Sequence, residues 1–148
     1  MNALEGIRLL LAIEELKALQ ARRVRAIDSQ DWDLYRTCHA EDFTSFTLGN
    51  PIYGIDGVIE GLKTALAGVT SAHHVMLPEL SFESANAASG TWILHDRLWW
   101  AQDGEAHWMK GWGHYHDTYA VRQGRWVFMS RRIVRSRVEH SVGARMIG

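Results

Sequence analysis

The stretch AASGTWILHDRLWWAQDGEAHWMKGWGHYHDTYAVRQGRWVFMSRRIVRSRV, residues 87–138, decides the fold. Its many aromatic and β-branched residues are typical of strands. Two short polar breaks divide it, Gln102–Glu105 and Arg122–Gly124, and each contains a glycine in a pattern that favours a hairpin turn. The same pattern already begins at residue 71, before this stretch. We therefore predict four long antiparallel strands, over 72–84, 87–101, 106–121 and 125–138.

The beginning of the chain has helical spacing instead. Apolar residues recur at a helical period over 4–27, and Gln20 and Arg23 lie on the same stripe. A polar side chain on such a stripe either extends its stem over apolar surface or faces a pocket. The polar run 28–31 breaks this helix.

Three shorter elements are predicted before the long strands. In chain order they are a helix over 32–39, a strand over 44–53 bent at 49–51, and a helix over 58–66. Ser29 or Asp31 can cap the first of these helices. Asp56 can cap the second, which Gly68 can end.

The order of these elements predicts an α+β fold. Helices segregated from a run of long strands suit a strongly curved antiparallel sheet wrapped around the long N-terminal helix, which gives a cone-shaped α+β barrel. The natural pocket lies between this helix and the sheet. The 148 residues are expected to form a single domain, 1–148, with a core of about 8–138 and a loosely held tail over 139–148.

Composition excludes several classes of function. Sixteen basic and 17 acidic residues give a net charge of −1, which argues against a nucleic-acid partner. One cysteine, Cys38, can form neither an internal disulfide nor a thiolate metal site. No apolar run is long enough for a membrane span, and charges at 14, 15 and 17 interrupt any signal peptide, so a cytoplasmic protein is expected. Without a glycine-rich phosphate loop, no nucleotide or nicotinamide cofactor is implied.

Several short motifs, taken in order, resemble the SnoaL-like families of the nuclear transport factor 2-like superfamily. The resemblance spans about residues 8–138. The motifs that carry it are Val24–Asp28, Asp33–Tyr35, Glu41–Phe43, Gly54–Gly57, Ala72–His74, Ala88–Trp92, Gly113–Tyr119 and Gly124–Phe128. The chain looks most like the cofactor-free lyases of that group, which are dehydrochlorinases and dehydratases. Because the superfamily also contains isomerases, polyketide cyclases and non-catalytic subunits, its fold does not determine the function.

The resemblance implies a catalytic dyad of Asp28, at the end of the long helix, and His73, at the start of a strand. A histidine with an ordinary pKa of ~6.5 is a competent base near neutral pH. A carboxylate on its second ring nitrogen fixes the tautomer and stabilises the imidazolium. The alternative is that Asp28 only caps the following turn. The adjacent His74 is expected to point to the opposite face of the strand.

Three further polar residues are candidates for the site. By resemblance, Arg23 and Arg131 are cations that could hold a departing anion, although the dehydratases tend to have a tyrosine near the first position. The alternative for each is an ordinary ion pair or a surface position. Asp96 shares a strand face with Trp92 and Leu94, where Arg23 or Arg131 could pair with it. Alternatively, Asp96 is an exposed strand end.

The rest of the expected pocket is apolar and free of metal. We expect its walls to be formed by Trp32, Phe46, Trp92, Leu94 and Tyr115. The spacing of His114 and His116 could chelate a metal, but without a third ligand in the pattern no metal is expected.

The sequence thus favours a cofactor-independent lyase of the dehydratase or dehydrohalogenase type, acting on a small hydrophobic cyclic substrate. Two alternatives stay open. One is an isomerase or a polyketide cyclase-type enzyme using the same pocket. The other is a non-catalytic β subunit of a ring-hydroxylating dioxygenase. Because the helices can cover only one sheet face and tryptophans 99, 100, 108 and 112 supply much ring surface, a homo-dimer or homo-trimer is expected.

Overall fold

A computed structural model describes residues 3–147, except for the side chain at position 4. Three helices come first: α1 (Ala3–Ser29), α2 (Trp32–Thr37) and, after two strands, α3 (Ile55–Ala65). The six strands are β1 (His39–Phe46), β2 (Ile52–Tyr53), β3 (Thr70–Ser84), β4 (Ala87–Gln102), β5 (Glu105–Arg122) and β6 (Arg125–His140). The four long predicted strands are confirmed.

The strands form one sheet in the order β2-β1-β6-β5-β4-β3. β1 runs parallel to β6, and the other neighbouring pairs are antiparallel. The sheet is curved and open, and α1 packs against β3 and β6. The predicted α+β, cone-like architecture is therefore confirmed.

The two predicted hairpin turns have the backbone conformation that such turns require. Asp103 and Gly104 have φ of 52° and 80°, and Gln123 and Gly124 have φ of 53° and 73°. A turn with positive φ at both central residues matches the twist of the strands that it joins. These turns align β4 with β5 and β5 with β6, and so set which residues face the interior.

The main core lies between α1, α2, α3 and the concave face of the sheet. Leu16 and Leu19 of α1, Ile59 of α3, and Phe43 and Phe128 of the sheet are almost completely buried in it. A second, smaller cluster on the same sheet face consists of Trp92, Leu94 and Tyr115. The candidate site lies where β4, β5 and β6 meet the end of α1.

The structure corrects three local predictions. The cap of α3 is Gly54, with a φ of 90°, because the helix begins at Ile55 and places Asp56 inside the first turn. The bent strand predicted over 44–53 is two strands, β1 and β2. The segment after β6 is held rather than loose, since Ile147 is 8% exposed and packs in the core.

The cap predicted for α2 is present, since the Asp31 side chain accepts a hydrogen bond from the backbone N–H of Leu34 at 3.0 Å. None of the helices within residues 3–147 is both long and apolar enough to cross a membrane.

Candidate active site

Asp28 and His73 are in direct contact, although 45 positions separate them in the sequence. Nδ1 of His73 lies 2.6 Å from Oδ1 of Asp28. A carboxylate can only accept, so Nδ1 carries the proton and Nε2 of the neutral ring keeps its lone pair. The alternative of a turn cap is wrong, because the backbone N–H groups of Gln30 and Asp31 donate to carbonyl oxygens of α1.

Two further hydrogen bonds fix the Asp28 carboxylate. Its Oδ1 accepts from the Ser71 hydroxyl at 2.7 Å, and its Oδ2 accepts from the backbone N–H of His73 at 2.9 Å. Burial acts to raise the pKa of Asp28, but the hydrogen bonds and charge of His73 outweigh it, so this pKa lies below its ordinary value. Asp28 is therefore an ionised and oriented partner for the imidazole.

The other ring nitrogen of His73 faces a second carboxylate. Nε2 lies 3.9 Å from Oδ2 of Asp96, and both side chains are less than a tenth exposed. Asp96 is held by Arg135, whose Nη1 and Nη2 donate to its two oxygens at 2.6 and 2.8 Å. The predicted partners of Asp96, Arg23 and Arg131, are thus replaced by Arg135. Asp96 itself is buried, so the alternative of an exposed strand end is wrong.

A glycine makes room for this ion pair. Gly111 lies beside Asp96 on the neighbouring strand β5, and a Cβ atom there would overlap Nη1 of Arg135 and Oδ1 of Asp96. The ion pair therefore occupies the space beside the backbone of β5 that a Cβ atom of any other residue would fill.

Arg23 is a buried cation held by aromatic rings. It is 4% exposed, and its guanidinium carbon lies 5.6 Å from the ring centre of Tyr35 and 5.3 Å from that of Tyr115. Its Nε and Nη1 atoms are buried without a hydrogen-bond partner among the described residues. Because Arg131 and Arg135 each have a carboxylate partner, Arg23 is the arginine of this site whose charge is left for a ligand.

Arg131 lies in a buried network behind the site. Its Nε and Nη2 donate to the two oxygens of Asp117, both at 2.7 Å, and Nη2 also donates to Gln20 at 2.8 Å. Gln20 and the Tyr119 hydroxyl donate to the same carboxylate. Burial acts to lower the pKa of Arg131, but the charge of Asp117 outweighs it and raises this pKa.

The guanidinium of Arg131 also lies 3.7 Å from the ring centre of Tyr115. Arg131 does not line the cavity that His73 reaches. The structure therefore makes Arg131 a support for Tyr115, in place of the predicted direct contact with an anion.

His73 opens onto a cavity of about 70 Å³ between α1, α3 and the sheet. Its polar lining consists of Arg23, His73, Asp96, Tyr115 and Arg135 with Thr47. Its apolar lining consists of Ile27, Leu48, Leu62, Ala65, Leu66, Leu98, Met109, Ile133 and Ile147.

Of the five predicted wall residues, only Tyr115 lines this cavity. Trp92 and Leu94 pack behind it, and the indole N–H of Trp92 donates to the Tyr119 hydroxyl at 2.8 Å. Trp32 packs edge-on against Tyr35. Phe46 lies under the guanidinium of Arg132. The walls come instead from apolar residues of α1, α3, β4, β5 and β6, together with Leu48, Leu66 and Ile147 outside these elements.

Sequence reasoning missed Arg135 as a site residue and the roles of Asp117 and Gln20. Strand alternation could have found Arg135, because Arg131, Ile133 and Arg135 share one face. Gln20 was visible as a polar residue on an apolar stripe.

Two other residues near the site, His39 and Cys38, are held by burial in their uncharged states. Burial, and then the charge of Arg23, hold the pKa of His39 well below its ordinary value, so this histidine stays neutral. Its ring stacks on Tyr35 at 4.2 Å, and its Nδ1 donates to the Tyr35 carbonyl at 2.6 Å. Burial also raises the pKa of the Cys38 thiol, which is the state of a structural cysteine.

No group of three or more metal-ligating side chains comes together among residues 3–147. His114 and His116 lie on the exposed face of β5, where Nδ1 of His116 is 3.3 Å from the Thr91 hydroxyl. That no metal is needed stays a prediction.

Comparisons with known proteins agree with this architecture. The protein-family model of the SnoaL-like domain matches residues 8–132 of this chain. A hexachlorocyclohexane dehydrochlorinase (LinA type 2) superposes with a TM-score of 0.83 at 14% identity, over 97% of each chain. A candidate scytalone dehydratase from Novosphingobium aromaticivorans gives 0.82 at 15%, over 96% of this chain and 95% of that one.

A candidate aromatic ring hydroxylase from the same organism gives a TM-score of 0.77 at 18% identity, over 96% of this chain and 97% of that one. At these identities the likeness establishes the fold alone. The family match, in contrast, covers most of the chain. The chain belongs to the SnoaL-like domain family, within the nuclear transport factor 2-like superfamily.

Proposed function

We propose that this protein is a cofactor-independent lyase that acts on a small, cyclic, largely apolar substrate. The observation that carries the proposal is that two groups line one small cavity: His73, whose Nε2 keeps its lone pair when Nδ1 donates to Asp28, and the buried Arg23, which has no carboxylate partner among residues 3–147. A base and an anion stabiliser are the two groups that an elimination needs.

His73 takes a proton from a substrate carbon through Nε2. The electron pair of that C–H bond forms the new double bond, and the neighbouring bond breaks as the leaving group departs with its electrons. Asp28 compensates the positive charge that develops on His73. The departing anion, a halide or hydroxide, moves to Arg23. A departing hydroxide then takes back the proton from His73 and leaves as water. When the leaving group is a halide, His73 gives this proton to a solvent water molecule and the halide leaves as the anion.

The aliphatic lining supports an apolar substrate. Eight of its nine residues named above carry branched or long apolar side chains, and they surround the polar end at His73. The cavity of about 70 Å³ is small for a cyclic compound, so the walls must move apart when the substrate enters. Leu48, Leu66 and Ile147 lie outside the regular helices and strands, so these walls can shift without breaking a helix or a strand.

The experiment is an elimination assay on small cyclic compounds with a halide or hydroxyl group beside an acidic C–H bond. The alkene is measured for the wild type, for Arg23→Met, and for Arg22→Met as the matched exposed control. We expect Arg23→Met to lower kcat/KM by roughly 10²-fold, the usual effect of losing one anion donor, and Arg22→Met to have little effect.

Full activity of Arg23→Met would overturn the role of Arg23. Rearrangement of the substrate without loss of a leaving group would identify an isomerase instead. A folded protein that converts none of these compounds and binds none of them would favour the non-catalytic subunit.

A further inference from the structure

Arg135 lines the cavity beside His73, and the lyase mechanism above gives it no task. We propose that Arg135 binds the carbonyl oxygen of the substrate, and that the substrate is therefore a cyclic carbonyl compound with a leaving group at the β carbon. This inference rests on the proposed function and narrows its substrate class.

The positions of the two groups carry the inference. Oδ2 of Asp96 lies 2.8 Å from Nη2 of Arg135 and 3.9 Å from Nε2 of His73. The base and the guanidinium are thus neighbours across a single oxygen atom. In a carbonyl compound the acidic C–H and the carbonyl oxygen are likewise separated by one carbon. One substrate can therefore present its C–H to His73 and its oxygen to Arg135.

Arg135 has donors for this oxygen. A guanidinium carries five N–H groups, and the ion pair with Asp96 uses two of them. Within residues 3–147, these are the hydrogen bonds that Arg135 makes. Its side chain is 28% exposed, whereas Asp96 is 3% exposed, so the guanidinium is the accessible partner of the pair. Asp96 holds it in one orientation.

The charges of the site also suit an enolate. Before reaction, the carboxylates of Asp28 and Asp96 balance the guanidinium groups of Arg23 and Arg135. When the C–H bond breaks, the proton goes to Nε2, the C–H electrons form a carbon–carbon double bond, and the carbonyl electrons move onto oxygen. The enolate lies at Arg135, and the imidazolium lies between Asp28 and Asp96. The enolate then re-forms its carbonyl and expels the β leaving group toward Arg23.

A halogenated hydrocarbon would gain nothing from this end of the cavity. It offers no acceptor comparable to a carbonyl oxygen for Arg135, and no donor for Asp96. The buried ion pair therefore favours an oxygenated substrate over a purely halogenated one.

The first test uses 4-nitrophenol, a planar phenol whose anion resembles an enolate and whose absorption spectrum reports its ionisation. We expect the wild type to bind the phenolate and lower the apparent pKa of the bound phenol. Arg135→Met should lose this binding by about 10²-fold. Arg137→Met, a change to an exposed arginine of the same strand, should leave it unchanged.

Asp96→Asn separates an oxyanion contact from a structural role. If Arg135 binds the oxyanion, Asp96→Asn should keep or strengthen phenolate binding, because it removes a negative charge and leaves the guanidinium in the site. If Arg135 serves only to neutralise Asp96, then the double variant Asp96→Asn/Arg135→Met should bind phenolate no worse than Asp96→Asn does. That second result would overturn the inference.

The second test measures hydrogen–deuterium exchange at the α carbon of cyclohexanone in D₂O. We expect exchange with the wild type and with Arg137→Met, and loss of exchange with Arg135→Met. Elimination from a halogenated ring without any exchange into the ketone would overturn the inference but leave the lyase proposal intact. The absence of exchange, of elimination and of phenolate binding in a folded protein would overturn both.

Discussion

Nε2 of His73 lies 3.9 Å from Oδ2 of Asp96, while Nδ1 of the same ring lies 2.6 Å from Asp28. The imidazole is thus placed between two carboxylates that come from different elements, α1 and β4. A proton gained at Nε2 creates a cation with a negative group on either side. The ring thus has Asp28 as its oriented partner on one side and faces the Asp96–Arg135 ion pair on the other.

The low pKa of Asp28 predicts an acid-sensitive contribution to stability. A carboxyl group whose pKa is lower in the folded state than in the unfolded state stabilises the folded protein at pH values above its ordinary pKa, which is 3.8 for Asp28. This contribution is lost as the pH falls through the lower pKa of the folded state. We expect the wild type to lose more unfolding free energy between pH 5 and pH 2 than Asp28→Asn does. Urea unfolding at a series of pH values measures this difference. Equal losses in the two proteins would contradict it.

Gly111→Ala should displace Arg135 from Asp96. The added Cβ would overlap both members of the ion pair, so one of them must leave its place. Breaking a buried pair typically costs about 3–5 kcal/mol, and we expect a loss toward the lower end because Arg135 can move to solvent. Thermal unfolding measures the loss of stability. Gly61→Ala, in the regular helix α3, is the control, since a Cβ there meets only the ends of the Ile52 and Leu48 side chains, at 3.3 and 3.4 Å.

Arg131→Met is expected to act mainly on stability. The change leaves the Asp117 carboxylate buried without its guanidinium, which costs about 3–5 kcal/mol. The neighbouring Arg132→Met removes an exposed arginine that lies over Phe46, and should cost less than about 1 kcal/mol. Urea unfolding compares the two variants. Similar stabilities would show that the buried network is dispensable.

Self-association should involve the outer face of the sheet. Met76, Ile93 and Val134 are 40%, 38% and 50% exposed, and they lie in one cross-strand row with His114. Exposed apolar groups at such density mark interfaces. We expect sedimentation to give two or three times 16.8 kDa, and Ile93→Lys to lower this mass. A wild-type mass of 16.8 kDa across micromolar concentrations would contradict the prediction.

Much of the fold could be predicted, because its signals are local. The long strands follow from the residues of each segment, and the turns at Asp103–Gly104 and Gln123–Gly124 follow from short motifs. The contact between Asp28 and His73 was predicted only through family resemblance, since no local pattern links residues 45 positions apart.

The partner of each arginine could not be predicted from the sequence. Arg131 and Arg135 lie on the same face of β6, and their carboxylates are chosen by the register with β5, which shifts between Trp112 and Gly113. Because Gly111 has no Cβ, the space beside its backbone is filled by Arg135, which therefore reaches Asp96, whereas Arg131 does not. The burial of Ile147 depends in the same way on tertiary packing, since Val142 and Met146 of the same short segment are apolar too and yet lie exposed.

In the proposed reaction, Nε2 of His73 removes a proton from carbon. The most direct test compares kcat for a converted substrate in the wild type, in His73→Gln and in His74→Gln, whose histidine lies exposed on the opposite face of β3. We expect His73→Gln to lose nearly all of kcat and His74→Gln to keep it, with both variants folded. If His73→Gln retains the wild-type kcat, His73 is not the base, and another group must remove the proton.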